Sequence, residues 1–213
     1  MEKELLAPNG KPSNLTPEQY KLVRTAAFKN WFGNWESDPE NASKVIDENG
    51  EPLVVYHGTN DKFNTFDTKL NRRGSDFGAG AYFSSKKENS KSYGKILIEA
   101  FLNIREPLVL EDRYDINRIF DYLIDDKKEG LVPKEITLQE YIIRAGANGI
   151  KINNPIMGEE VDEVWFVAYY ESQIKLANRT NTTFDGNNPD IRFEVGGETK
   201  YTTPDYLVMF LGK

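Results

Sequence analysis

The sequence predicts an α+β domain, and three observations carry that expectation. Short apolar runs with strand character recur along the chain, at Leu53-Val54-Val55, Ile96 to Ile104, Pro107 to Leu110, Gly149 to Ile152 and Glu163 to Tyr169. Helix-start signals are interspersed among them, at Thr16-Pro17, Ser85-Lys86-Lys87-Glu88 and Thr137-Leu138-Gln139-Glu140. The length, 213 residues, fits one domain with extensions, and the chain has no internal repeats.

Residues 1–16 are rich in Pro, Asn and Gly and read as an extended lead-in. Thr16 as N-cap and Pro17 at the first helical position open a helix. Tyr20, Val23, Ala27 and Trp31 recur at helical spacing and give it one face to bury. Phe28, Phe32 and Trp35 make this region aromatic, which favours packing on the outside of the domain over an aromatic ligand box. Residues 45–55 read as a β-hairpin whose turn is Asn49-Gly50, and the second strand delivers Tyr56-His57-Gly58-Thr59 at its end.

Phe63 and Phe66 come next in a polar loop, and glycines between residues 72 and 80 allow close backbone approach to a ligand. Ser85 and Glu88 form a capping box that starts a short helix carrying Ser90 and Tyr93. Asp115 caps a helix to about Lys128, with Ile116, Ile119, Phe120 and Leu123 on its apolar face. A second capping box, Thr137 to Glu140, opens a helix that ends near Gly146. Gln173 to Leu176 reads as a last core strand. From Asn178 the composition turns to Asn, Thr, Gly, Asp and Pro, and Gly196-Gly197 separates a small tail. These shifts divide the chain into an N-terminal extension and helix (1–42), a central domain (43–195) and a C-terminal tail (196–213).

Formal net charge is −7, the sequence pI is near 5.0 and the mean hydropathy is −0.62. The acidic balance argues against non-specific nucleic-acid binding, which needs cations to neutralise phosphates. Lys69, Arg72 and Arg73 still cluster in one loop, as a solvated stretch or a local anion site. One histidine and no cysteine exclude multi-histidine and thiolate zinc sites, so no metal is expected. The absence of cysteine rules out a disulfide framework and is compatible with a reducing cytosol. Neither a signal-peptide pattern nor a run approaching ~18 apolar residues is present, so no membrane span is expected and cytoplasmic action is the default. Virion packaging, or secretion that ignores N-terminal signals, would leave no mark on the sequence.

His57 carries the chemistry if it works at all, either as a hydrogen-bonding group for a ligand or as a core histidine satisfied by a backbone carbonyl. No Gly-x-Ser-x-Gly elbow accompanies it. Downstream of it stand Gly78-Ala79-Gly80-Ala81-Tyr82-Phe83 and then Ser90-Lys91-Ser92-Tyr93, with the two tyrosines eleven residues apart. With these residues in this order, the stretch from about 43 to 194 resembles ADP-ribosyltransferases of the diphtheria-toxin and poly-ADP-ribose polymerase type, the His-Tyr-Glu class. It is most similar to the small transferase modules of phage and mobile-element polyvalent proteins. The Gln-Ile-Lys and Asn-Asn-Pro-Asp-Ile-Arg-Phe segments resemble the ends of such modules.

The resemblance implies a split β-sheet core with peripheral helices, and NAD as substrate. It implies that Tyr82 and Tyr93 sandwich the nicotinamide, a cation–π attraction for the pyridinium. Gly58 and Ser90 would hold the carboxamide, and His57 the adenosine ribose. Thr59, Gly80 and Arg73 join them as nucleotide-binding candidates, with Lys69, Arg72 and Arg73 near the pyrophosphate. Helices preceding such modules can line the nicotinamide side.

The chain departs from the pattern at the third element. The family places a glutamate at the head of a strand and often a glutamine eight residues later, but eight residues before Gln173 stands Trp165. Glu163 lies on the same side of a regular strand as Trp165 and is the candidate carboxylate. Asp162 and Glu160 are weaker substitutes, and all three acids can also be read as a solvated start to the strand. The catalytic candidates are thus Glu163, Tyr82 and His57.

The function expected is mono-ADP-ribosylation of a protein side chain, with no membrane partner, a nucleic-acid acceptor disfavoured and the oligomeric state unknown. NAD hydrolysis and a non-catalytic NAD-binding or structural phage module are the alternatives. An RNA 2′-phosphotransferase would want a more basic cleft.

Overall fold

The computed structural model describes residues 4–70, 75–156, 162–178 and 184–192. Arg72, Arg73, Glu160 and the tail 196–213 lie outside the described residues. Thr16 caps α1 (Pro17–Val23) in a full capping box: its hydroxyl accepts the Gln19 N–H while the Gln19 side chain accepts the Thr16 N–H. The spacing predicts one helix through Trp31, but the chain restarts as α2 (Ala26–Phe32). Thr25 causes the break, because its hydroxyl donates to Leu22 O and accepts the Phe28 N–H, ending one helix and capping the next.

α2 buries Phe28, Trp31 and Phe32, which pack with Trp35 on Phe101, Ala177 and Phe184. Five rings surround Phe28 with centroids 4.9–5.7 Å away, so the N-terminal aromatics form a core. Arg24, between the two helices, stacks 3.5 Å above the Tyr20 ring and grips the fully buried Glu51 carboxylate with both terminal nitrogens, at 2.6 and 3.3 Å.

Glu51 belongs to the expected hairpin, which contracts to one bridge between Ile46 and Pro52. The Asp47 carboxylate takes the N–H groups of both Asn49 and Glu51, closing a local turn in which Gly50 alone has a positive φ. Continuous strand structure starts only at β1 (Val55–Thr59).

The remaining elements are β2 (Ala81–Ser84), α3 (Lys87–Ser90), β3 (Ile96–Leu102), β4 (Pro107–Leu110), α4 (Asp115–Glu129), α5 (Leu138–Arg144), β5 (Gly149–Ile152), β6 (Trp165–Ala168) and β7 (Ile174–Leu176). The capping box at Thr137 forms as read, and that at Ser85 does not. Ser85 instead continues the β2–β6 pairing, exchanging its N–H and hydroxyl with Val164.

The strands run β4-β5-β6-β2-β1-β3-β7, antiparallel throughout except for β4 and β5. β1 pairs with β3 over five positions and β2 with β6 over four, yet β1 and β2 meet only at Tyr56 and Ser84. The sheet is therefore split into two halves joined at one point, the architecture expected.

Strand alternation then sorts the core. Phe83, Ala81, Phe166 and Ala168 fill one face with Phe66, Leu102 and Ile174. Tyr82, Trp165 and Val167 turn to the other face, beneath α4 and α5. Lys175 on β7 is buried and holds residues 184–192 in place by donating to Asn188 O and Asp190 O, at 2.5 and 2.9 Å. Burial pushes its ammonium pKa down. Among the described residues no helix is long and apolar enough to cross a membrane.

Candidate active site

The site is built where β1 and β2 diverge. His57 stands on β1 just past the single contact, and its Nδ1 lies 2.7 Å from Tyr82 O across the gap. A carbonyl only accepts, so Nδ1 carries a proton and donates it to Tyr82 O. Phe66 and Phe83 flank the imidazole, with centroids 5.0 and 5.5 Å away. The carbonyl-satisfied histidine and the ligand-facing one are thus compatible: one nitrogen is anchored in the structure and the ring's orientation is fixed.

α3 crosses directly above β1. Ser90 is buried and its hydroxyl donates to Tyr56 O at 2.9 Å. Gly58 makes this crossing possible, since a Cβ there would stand 1.8 Å from Ser90 O and 3.2 Å from the Tyr93 Cβ. Tyr93 is thereby rooted over Gly58, on a short 3-10 turn after α3, and the residue is 65% exposed. We expect Gly58→Ala to force α3 away from β1, costing about 1–3 kcal/mol as overpacking does elsewhere. Denaturant unfolding checks this, and an unchanged midpoint would mean that the crossing tolerates the methyl.

Tyr82 lies beside this crossing on β2. Its hydroxyl donates to Gly78 O at 2.6 Å, and its ring sits 6.4 Å from Phe77. Burial pushes the phenol up to about 12, so it remains neutral and a donor. Among the described residues the Tyr82 and Tyr93 rings make no contact with each other. Gly80 precedes β2 with φ +149, and a Cβ there would meet Val167 Cγ1 at 2.3 Å. The Thr59 hydroxyl accepts the Asp61 N–H and shapes the turn after β1.

Glu163 stands just before β6 and is 2% exposed. Its Oε1 accepts from Ser84 Oγ at 2.5 Å and Trp165 Nε1 at 2.7 Å, and its Oε2 accepts from Asn89 Nδ2. This excludes the reading of Glu163 as a solvated start to the strand. Asp162 fits that reading instead, being exposed and paired with Lys86 at 3.0 Å. Glu163 joins the same construction as the tyrosines, because Asn89 immediately precedes Ser90 on α3 and Ser84 ends the strand that carries Tyr82.

A family model described as ADP-ribosyltransferase in polyvalent proteins matches residues 47–184. The chain belongs to this family. The match spans every residue of the constellation just described, from His57 to Glu163. Among solved structures the chain is similar to one titled as an anti-CRISPR protein, at 16% identity and a TM-score of 0.29, covering 55% of this chain and 89% of that one. An overlap so slight carries no argument. Among curated proteins nothing matches.

Within this transferase family member, the structure brings together His57, Gly58, Tyr82, Ser90, Tyr93 and Glu163. α1 and α2 pack at the β3–β7 end through Phe101 and Ala177. Sequence reading passed over Ser84 and Asn89, although both lie inside the motif stretch. Their signal was position: Ser84 is two residues past Tyr82 on the same strand face, and Asn89 adjoins Ser90.

A cavity of about 690 Å³ opens elsewhere, between α4, α5 and the segment around Thr68 and Gly78. None of the assembled residues lines it. Among the described residues no cluster of three or more His, Cys, Asp or Glu is placed to hold a metal ion.

Proposed function

We propose that this ADP-ribosyltransferase takes NAD as substrate and transfers a single ADP-ribose to a protein side chain. The observation that carries the reading is the opening between β1 and β2, where His57, Gly58, Tyr82, Ser90 and Tyr93 stand within one strand–helix crossing. The nicotinamide enters between Tyr82 and Tyr93, where two ring faces attract its positive charge. Gly58 backbone and Ser90 Oγ hold its carboxamide. His57, fixed by Tyr82 O, meets the adenosine ribose. Thr59 and Gly80 border the nucleotide, and Arg73 is the candidate for its pyrophosphate.

The C1′–N bond breaks with its electron pair leaving on nicotinamide, which departs neutral. The ribosyl centre left behind resembles an oxocarbenium ion. The Glu163 carboxylate stabilises that charge and bonds the adjacent ribose hydroxyl. A heteroatom of the acceptor side chain then bonds to C1′ and loses its proton to solvent. Transfer of a single unit to protein is supported by the acidic composition and by the lack of a recognisable acceptor loop for chain elongation.

Calorimetric titration of NAD tests the binding half of the proposal. Tyr82→Ala should weaken binding by about 1 kcal/mol or more through loss of one stacking face, and His57→Ala should weaken it as well. Equal affinity in wild type and both variants, with circular dichroism showing intact folds, would sink the assignment.

A further inference from the structure

We propose that Trp165 and Ser84 are positioning residues, which clamp one oxygen of Glu163 so that the other faces the substrate. The inference rests on the assignment of Glu163 to the ribose.

An ionised carboxylate offers about four lone-pair directions. Among the described residues three are filled, each from a different element: Ser84 on β2 and Trp165 on β6 share Oε1, and Asn89 on α3 takes one side of Oε2. The direction left among them belongs to Oε2. Both torsional freedom and choice of oxygen are thereby removed before any ligand arrives, which is what a charge must have to act without reorganising.

The strand geometry explains why these two residues do it. Residues 163 and 165 share a face, so the indole N–H reaches back to the carboxylate. Ser84 is the cross-strand partner of Trp165 and approaches from the opposite side. The Ser84 hydroxyl already accepts the Lys86 N–H at 2.8 Å, and its one hydrogen goes to Oε1 at 2.5 Å, the shorter of its contacts. Trp165 occupies the place, eight residues before Gln173, where a glutamate was expected. Its indole thus fixes a carboxylate supplied from two residues upstream.

The test compares Trp165→Phe, Ser84→Ala and Ser84→Thr in steady-state NAD turnover. Trp165→Phe keeps the ring packing and loses the N–H, and Ser84→Thr keeps the hydroxyl that Ser84→Ala removes. We expect kcat to fall about 10-fold in Trp165→Phe and in Ser84→Ala, the scale of one hydrogen bond to a charged group. KM for NAD should stay within about twofold, and Ser84→Thr should stay near wild type.

A second readout needs no turnover. In the nitrogen-15 spectrum the indole N–H resonance that vanishes in Trp165→Phe should move in Glu163→Gln, more than those of Trp31 and Trp35. If it stays in place the clamp does not exist, whatever the activity. Turnover near wild type in both Trp165→Phe and Ser84→Ala, with Glu163→Gln inactive, overturns the positioning role and leaves the Glu163 assignment standing. Full turnover in Glu163→Gln overturns that assignment itself. A rise in KM at constant kcat would make the two residues structural only, and if Trp165→Phe fails to fold, the serine pair decides.

Discussion

Glu163→Gln is expected to bind NAD almost as wild type does and to lower transfer by about 10² or more. The carboxylate helps mainly when positive charge develops at C1′, so its loss raises the barrier more than it weakens the ground state. The substitution preserves size. The new Gln oxygen can still accept from Ser84 and Trp165, and its NH₂ would then face the Asn89 amide, which can turn its own oxygen inward. The packing around position 163 therefore survives, and what is removed is charge. Asp162→Asn is the control, since that side chain is exposed and engages Lys86. Single-turnover transfer with parallel calorimetry checks the split. Full transfer in Glu163→Gln with loss in Asp162→Asn or Glu160→Gln would assign the acid to one of those residues instead.

The largest stability effect is expected at Arg24. Glu51 is fully buried and Arg24 contacts both of its oxygens, while the guanidinium itself stays partly open to solvent beside Glu36. Arg24→Ala leaves a carboxylate buried without its counter-charge, which costs about 3–5 kcal/mol. It also removes the stacking on Tyr20. Adding Glu51→Leu should recover much of the loss, because the pair is worth far less than its isolated half costs. Urea unfolding of the two singles and the double gives the coupling. A loss below about 1 kcal/mol in Arg24→Ala would put this pair among ordinary surface ion pairs.

Much of this fold could be read from local signals, and the exceptions share a cause. Thr16 and Thr137 cap as read because their hydroxyls engage the first turn of their own helices. Thr25 and Ser85 could not be placed from sequence, since one hydroxyl ends a helix as well as starting one, and the other is drawn to a strand brought near by the fold. Asn49-Gly50 looked like a hairpin turn, but Asp47 captured the local N–H groups first.

At the site, the order His57, Tyr82, Ser90, Tyr93 was legible because a motif is a linear pattern. The surroundings of Glu163 were not, because Ser84, Asn89 and Trp165 converge on it only through the β2–β6 pairing and the seating of α3. Alternation placed Glu163 and Trp165 on one face. Only the folded sheet shows that the indole bonds the carboxylate.

Incubation of the wild-type chain with NAD labelled on its adenylate, in the presence of a cell lysate, tests the central claim most directly. The account predicts covalent label on protein, one nicotinamide released for each ADP-ribose attached, and about 10²-fold less of both with Glu163→Gln. Label recovered only as free ADP-ribose would make the chain an NAD hydrolase. NAD left intact with every acceptor offered would contradict catalysis altogether and leave a binding module.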